Sequence, residues 1–239
     1  MILPKIYNDE GGKYPQFKGF PKLSYSQYTS FKSELYKEQY LKGYFFGIRD
    51  EGNVWSGFGS DVGNFIEIQG TTKDFSEYTQ GVMTLEEDKE FLRGLDYPEN
   101  SVYEDEIVLP VKDTKGKILF VVQGFLDRCE YRDKEVYICD FKTGNLEKKI
   151  EFYGSKEYGQ TTLYSHCKSL EGFKVKESFV LLLGRKGNGR GKHTIRLSGE
   201  TAKVDTPYTL KKGKEVVASM TKVAKKISKY YEVYQKLIA

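Results

Sequence analysis

The stretch Gly124-Phe125-Leu126-Asp127, followed after a charged interval by Tyr137-Ile138-Cys139-Asp140-Phe141-Lys142-Thr143-Gly144, decides the fold of this chain. Residues 118–122 (Ile118, Leu119, Phe120, Val121, Val122) form an apolar run leading towards Asp127, and residues 136–139 form a second run into Asp140. The charged segment Glu130-Tyr131-Arg132-Asp133-Lys134 lies between them. Two apolar runs joined by a short polar segment predict a β-hairpin. Such a hairpin sets Asp127 and Asp140 side by side near the strand ends. Lys142 follows Asp140 by two residues, so strand alternation points it to the same face. Paired carboxylates suit a hard divalent cation such as Mg²⁺ or Mn²⁺. With a lysine beside them, they suit metal-assisted hydrolysis of a phosphodiester. The run ahead of Asp140 is apolar enough for a central strand, and a charge at the end of a buried strand calls for a partner or a metal.

Upstream, residues 1–22 are rich in Gly, Pro, Tyr and Lys and read as irregular. Leu23-Ser24-Tyr25-Ser26-Gln27-Tyr28 opens a helix, with Ser24 as N-cap and Tyr28, Phe31, Leu35 and Tyr36 as its apolar face. Gln39-Tyr40-Leu41-Lys42-Gly43-Tyr44 continues that helix or starts another. Gly57-Phe58-Gly59-Ser60-Asp61-Val62-Gly63 looks at first like a phosphate loop. Val62 stands where the third glycine of a dinucleotide fingerprint belongs, and no Lys-Ser or Lys-Thr follows. It reads instead as the start of a helix through Val62, Phe65, Ile66 and Ile68 that carries Glu67. Residues 71–100 read as helical in parts, with Phe91, Leu92 and Leu95 as apolar anchors before Pro98.

The β pattern covers residues 102–142 and includes Ile107-Val108-Leu109 before the hairpin. Residues 157–170 return to helical character, and residues 179–183 read as a buried strand. Residues 184–192 form a flexible basic turn, with Thr194-Ile195-Arg196-Leu197 as the returning strand. Over residues 214–238, Val216, Met220, Val223, Ile227, Tyr230, Tyr234 and Leu237 recur at three- or four-residue steps. This is an amphipathic helix with Lys222, Lys225, Lys226 and Lys229 turned elsewhere, a packing element rather than a partner site. The pattern predicts an α/β (α+β) fold with a central mixed sheet flanked by helices. With no internal repeat or low-complexity linker, residues 1–239 read as a single domain.

Thirty-eight basic against thirty-four acidic residues give a net charge of +4, so charge distribution rather than net charge must argue for nucleic acid. The 19 tyrosines and 15 phenylalanines read as structural. Cys129, Cys139 and Cys167 show no paired spacing, which excludes a zinc or iron–sulfur pattern and suits a reducing compartment. The N-terminus lacks the apolar core of a signal peptide. No window approaches the roughly 18 apolar residues of a membrane span. A soluble, cytoplasmic protein without a membrane partner is expected.

The order of helix, three strands, helix and strand resembles the PD-(D/E)XK nuclease superfamily, and within it the RecB-like exonuclease group. Asp127 follows a glycine and two apolar residues; Asp140-Phe141-Lys142 matches Asp-X-Lys and precedes Thr143-Gly144; Gln160-Thr161-Thr162-Leu163-Tyr164 matches Gln-X-X-X-Tyr. The opening Leu23-Ser24-Tyr25-Ser26 is similar to the first helix of these proteins. The matches span about residues 23–183, and their order and spacing make the combination specific. Leu126 stands in place of the motif proline. Glu67 stands where RecB-like members often carry a histidine, which favours an all-oxygen site. The cysteine cluster of iron–sulfur members and all helicase motifs are absent.

The resemblance implies a restriction-endonuclease-like core and a stand-alone Mg²⁺- or Mn²⁺-dependent deoxyribonuclease. It implies an exonuclease in phage or bacterial DNA processing or recombination, in the host cytoplasm if phage-encoded. A catalytically inactive nucleic-acid-binding or structural module of the same fold, and an RNA-directed nuclease, stay open as alternatives. A homo-oligomer or a replication or recombination partner stays open as well. In this reading Asp127, Asp140, the main-chain carbonyl of Phe141 and Glu67 hold the metal. Lys142 positions or helps deprotonate the attacking water. Gln160 and Tyr164, four apart on one helix face, contact the nucleic-acid backbone and support the lysine. Arg185, Lys186, Arg190 and Lys192 supply a basic, glycine-rich tip that a phosphate chain can approach. Glu104 and Glu106 sit before a strand and read as surface charge rather than auxiliary acids, the alternative for them, and His166 and His193 read as incidental.

Overall fold

The computed structural model describes residues 1–9, 12–48, 53–76, 78, 85–155, 158–190 and 194–238. The elements in chain order are β1 (Lys22–Leu23), α1 (Tyr25–Lys32), α2 (Lys37–Phe45), α3 (Val54–Gly70), α4 (Glu86–Arg93), β2 (Ser101–Lys112), β3 (Ile118–Arg132), β4 (Glu135–Gly144), α5 (Leu146–Ser155), α6 (Gly159–Leu170), β5 (Lys174–Gly187), β6 (Ile195–Asp205) and α7 (Leu210–Ile238). The fold is α+β. Six strands form one mixed sheet in the order β1-β3-β4-β5-β6, with β2 also paired to β3. The β1–β3 and β4–β5 pairs are parallel, and the β3–β4 and β5–β6 pairs are antiparallel. Two compact units divide the chain: Met1–Glu51 with Glu106–Phe125 and Leu210–Ala239, and Gly52–Asp105 with Leu126–Thr209. Strands β2 and β3 contribute residues to both.

In the first unit, Ser24 caps α1 as its sequence predicts. Its Oγ accepts from the Gln27 amide at 3.2 Å while Gln27 Oε1 accepts from the Ser24 amide at 2.8 Å, a reciprocal capping box. The helix buries Tyr28 and Phe31 and then stops, leaving Leu35 and Tyr36 exposed rather than on its apolar face. Residues 37–45 form a separate helix. Residues 1–22 are irregular but anchored: Tyr7 is fully buried against Val108 and Val121, and its amide donates to the Phe20 carbonyl at 2.9 Å. Many of the aromatic side chains are structural. Phe31 meets Tyr40 and Tyr230 edge-on, and Phe45 meets Tyr231. Helix α7 buries Met220, Val223, Ala224 and Ile227, but its end leaves Tyr230 and Leu237 exposed.

In the second unit, α3 begins at Val54, capped by Asn53, whose Oδ1 accepts from the Ser56 amide at 2.9 Å. The glycine-rich segment 57–63 therefore lies inside the helix rather than at its start. Phe58, Val62, Phe65 and Ile66 fall on one face and pack with Leu92, Leu183, Ile195 and Leu197. Each such buried side chain contributes roughly 1.5–3 kcal/mol. Gly59 lets the helix approach β4, since a Cβ there would stand 3.3 Å from Thr143 Oγ1. The predicted hairpin forms, but β3 runs on through Asp127 to Arg132, and the connection to β4 is only Asp133-Lys134. Asp133 takes a positive φ of 53°, which an aspartate in a turn tolerates. Strand β4 is flanked by β3 and β5, the central position expected of its apolar run. Helix α5, which the apolar pattern did not announce, follows β4 directly. On β5, Arg185 and Lys186 lie in the strand itself rather than in a flexible turn.

All three cysteines are free and buried, and burial pushes the thiols of Cys129 and Cys139 up to about 11 and about 12. A protonated, inaccessible thiol is unreactive. Ellman's reagent should therefore detect no thiol in the native protein at neutral pH and all three after denaturation.

Candidate functional site

Asp140 lies on central strand β4 with no exposed surface. Lys142, two residues on, shares its face and donates to Asp140 Oδ2 at 2.6 Å and to the Phe141 carbonyl at 3.2 Å. The same ammonium stands 3.8 Å from Asp127 Oδ2. The β3–β4 ladder pairs Arg128 with Cys139, which sets Asp127 opposite Asp140 at the next step. There the Phe141 amide donates to the Asp127 carboxylate at 2.7 Å, a side chain standing in for a ladder partner. Asp127, Asp140, Phe141 and Lys142 thus come together as the sequence predicts.

Asp127, Phe141 and Lys142 line a cleft of about 420 Å³ together with Trp55, Glu67, Glu104 and Arg185 among others, while the fully buried Asp140 lies behind Lys142 and does not line it. Glu67 arrives from α3, as predicted. Glu104 is a correction: it is no isolated surface charge but a third carboxylate of this cleft. It sits within β2, not before it, at a left-handed φ of 48°. Such backbone costs on the order of 1 kcal/mol or more and tends to collect at functional sites. Although Glu104 is accessible to solvent, its pKa is raised to about 7, first by desolvation of the carboxyl and then by the charges of Asp127 and Glu67. Glu106 belongs elsewhere, accepting from Gln123 Nε2 at 2.6 Å.

Burial raises the pKa of Asp140, against the pull of Lys142, and the Asp127 charge adds to the rise. Burial likewise raises Asp127, outweighing Lys142 and the Phe141 amide. For Lys142, burial works against the ammonium, but the charges of Asp140 and Asp127 outweigh it and hold its pKa above the ordinary lysine value. The lysine is a fixed cation in this arrangement. Asp140 Oδ1 is buried with no hydrogen-bond partner, an acceptor able to serve a cation. Among the described residues, no three His, Cys, Asp or Glu side chains converge tightly enough to enclose a metal. The oxygen set that does converge is two carboxylates and one main-chain carbonyl, and it suits a hard cation that keeps some of its water.

Arg185 lines the same cleft as the acids. The Arg185 guanidinium lies 4.3 Å over the Trp55 ring and donates to the Trp55 carbonyl at 3.1 Å. Trp55 is in turn pressed against Gly189, where any Cβ would come within 2.6 Å of the indole. Lys149 on α5 has its pKa lowered by burial and then by Arg185 and Lys142, so the three positive groups feel one another. Sequence reasoning missed Trp55 and Lys149, and ranked an auxiliary role for Glu104 below surface charge. The single tryptophan of the chain was a usable signal; the other two depend on backbone path. Lys186 and Arg190 are exposed and do not line the cleft, while Lys192 and His193 lie outside the described residues. His166 is buried, with Nδ1 3.1 Å from the Tyr208 hydroxyl.

Gln160 and Tyr164 share a face of α6, as their spacing predicts, and Gln160 Nε2 donates to the Tyr164 hydroxyl at 3.0 Å. They do not line the cleft, and Tyr164 is buried. Their link runs to Asp140 rather than to the lysine: the Tyr158 hydroxyl is 2.7 Å from Gln160 Oε1 and 3.4 Å from Asp140 Oδ2. Tyr158, just ahead of α6, went unnoticed in the sequence. The next residue on that helix stripe is Lys168, almost fully buried, paired with Asp105 Oδ2 at 2.7 Å and Glu171 Oε2 at 3.0 Å. The Tyr131 hydroxyl also donates to Asp105, at 2.6 Å. This network ties α6 to the strand that presents Glu104.

No protein-family model matches the chain, and no curated protein matches it. A solved structure described as "Crystal structure of SSO0001" is similar at 13% identity over 81% of this chain and 88% of that chain, with a TM-score of 0.33. A likeness that slight carries no functional argument.

Lys168→Met should leave the buried Asp105 carboxylate without its ammonium partner, at a cost of about 3–5 kcal/mol in urea unfolding. Adding Asp105→Leu to that variant should recover most of the loss.

Proposed function

We propose that the cleft hydrolyses phosphodiester bonds of a nucleic acid, DNA in the first instance, with Mg²⁺ or Mn²⁺. The observation that carries this reading is the convergence of Asp140 Oδ2, Asp127 Oδ2 and the Phe141 carbonyl on one positively charged point, Lys142 Nζ. The same three oxygens would hold the metal, with Glu67 at the cleft wall as a further carboxylate. A bound divalent ion supplies positive charge to the phosphoryl oxygens and acidifies a coordinated water. The protein's own groups do the rest. Asp127 is oriented by the Phe141 amide, and Asp140 by Tyr158, which itself leans on Gln160 and Tyr164. Lys142 positions or helps deprotonate the attacking water and offsets charge developing on the phosphate. Arg185, braced on Trp55, and Lys149 provide charge for a neighbouring phosphate. The PD-(D/E)XK resemblance and its RecB-like motifs point the same way and suggest an exonuclease of DNA processing or recombination.

Purified protein is expected to degrade end-labelled DNA with Mg²⁺ or Mn²⁺ and to stop on addition of EDTA, with matched RNA assayed alongside. Asp127→Ala and Asp140→Asn should remove cleavage while circular dichroism and melting stay near wild type. Undiminished cleavage by both variants, or none by the wild type with either metal, would sink the reading. DNA binding without cleavage would favour an inactive binding module.

Lys142→Met should separate two properties. Cleavage should be lost, while Mn²⁺ should bind more tightly by calorimetry, because the ammonium no longer competes for Asp140 Oδ2 and the Phe141 carbonyl.

A further inference from the structure

Helix α7 carries eight lysines against two glutamates, more positive charge than the +4 of the whole chain. The remaining residues are therefore net acidic, and the mild overall charge conceals a segregated one. At about 100° per residue, Lys211, Lys214, Lys222, Lys225, Lys226 and Lys229 fall within roughly a third of the helix circumference. All six are exposed, and none has an ion-pair partner among the described residues. Met220, Val223, Ala224 and Ile227 occupy the opposite side and are buried. From Lys211 to Lys229 the stripe runs about 27 Å at 1.5 Å per residue. Of the two acids, Glu215 falls within the stripe near its N-terminal end, ahead of Lys222, and Glu232 accepts from Ser228 Oγ at 3.0 Å.

Aligned like charges repel one another and destabilise the helix that bears them. Core packing explains the apolar face but gives no reason for six lysines on the outward one, four of them in the eight residues Lys222–Lys229. An extended polyanion does, because each lysine that neutralises a phosphate releases a condensed counterion. A bilayer surface is the less suitable occupant. A membrane-lying helix needs a free apolar face, and here that face is covered along the stripe. Exposed Val233, Leu237 and Ile238 are confined to the last turns, beyond it.

We infer that the outward face of α7 is a second, non-catalytic binding surface for the phosphate backbone of a nucleic acid. The choice of a nucleic acid over other polyanions rests on the phosphodiesterase reading of the cleft; the lysine stripe itself does not. Contact is with phosphates, so it is independent of base sequence.

The test uses the full chain carrying Lys222→Gln, Lys225→Gln, Lys226→Gln and Lys229→Gln together. Glutamine keeps helix propensity and removes only charge. Binding of a labelled 30-base-pair duplex, and of one of its strands, is followed by fluorescence anisotropy across a salt series in EDTA. Four lost phosphate contacts should lower the slope of log K against log[salt] by about 3 and weaken binding more than tenfold at low salt. Cleavage of a short oligonucleotide should be unchanged. An unchanged slope in a variant that melts like wild type overturns the inference, as does wild-type binding to phosphatidylglycerol vesicles in preference to DNA. A wild type that never cleaves, but whose slope falls in the variant, removes the cleavage reading and leaves this surface standing.

Discussion

A carboxylate with no exposed surface is the constraint around which the site is organised. Taking an ion out of water costs several kcal/mol after relaxation, and only close, well-directed partners offset that. Asp140 finds them in Lys142, two residues along its own strand, and in Tyr158 at the start of α6. The first partner follows from strand alternation alone. The second requires a helix to be held against the sheet, which the Lys168–Asp105–Tyr131 network accomplishes from below. One acceptor, Asp140 Oδ1, stays unpaired, so the compensation is incomplete. A site left short of positive charge is one that gains from a cation.

The charges at the cleft are interleaved: Glu67, Glu104 and Asp127 line it together with Lys142 and Arg185, and the Lys142 ammonium sits between Asp127 and Asp140. Desolvation and then the neighbouring acids raise Glu104, while burial and then Arg185 and Lys142 lower Lys149. The strained backbone at Glu104 is consistent with a side chain held in place against local preference.

On α7 charge is segregated, with lysines gathered on one side of a helix whose other side is packed with apolar residues. Net charge, at +4, is nearly silent about either arrangement. Sign separation within a near-neutral chain is visible only once each residue has been assigned to a face.

Much of the site was legible because strand and helix periods are short-range rules. The hairpin, the shared face of Asp140 and Lys142, the Ser24 cap, and the pairing of Gln160 with Tyr164 all follow from spacing. The length of β3, helix α5, the Tyr158 link and the place of Glu104 did not, for different reasons. Asp127 sits mid-strand because the turn shrank to Asp133-Lys134, and a polar strand end looks like a loop in sequence. Glu104 joins the cleft through a left-handed φ that no residue pattern announces. The sequence by itself determined which residues alternate, which strand is central and that Asp127, Asp140 and Lys142 meet. Only the tertiary structure decided that Glu104 joins the cleft, that Tyr158 supports Asp140 and that Trp55 braces Arg185, because those contacts join elements separated in the chain.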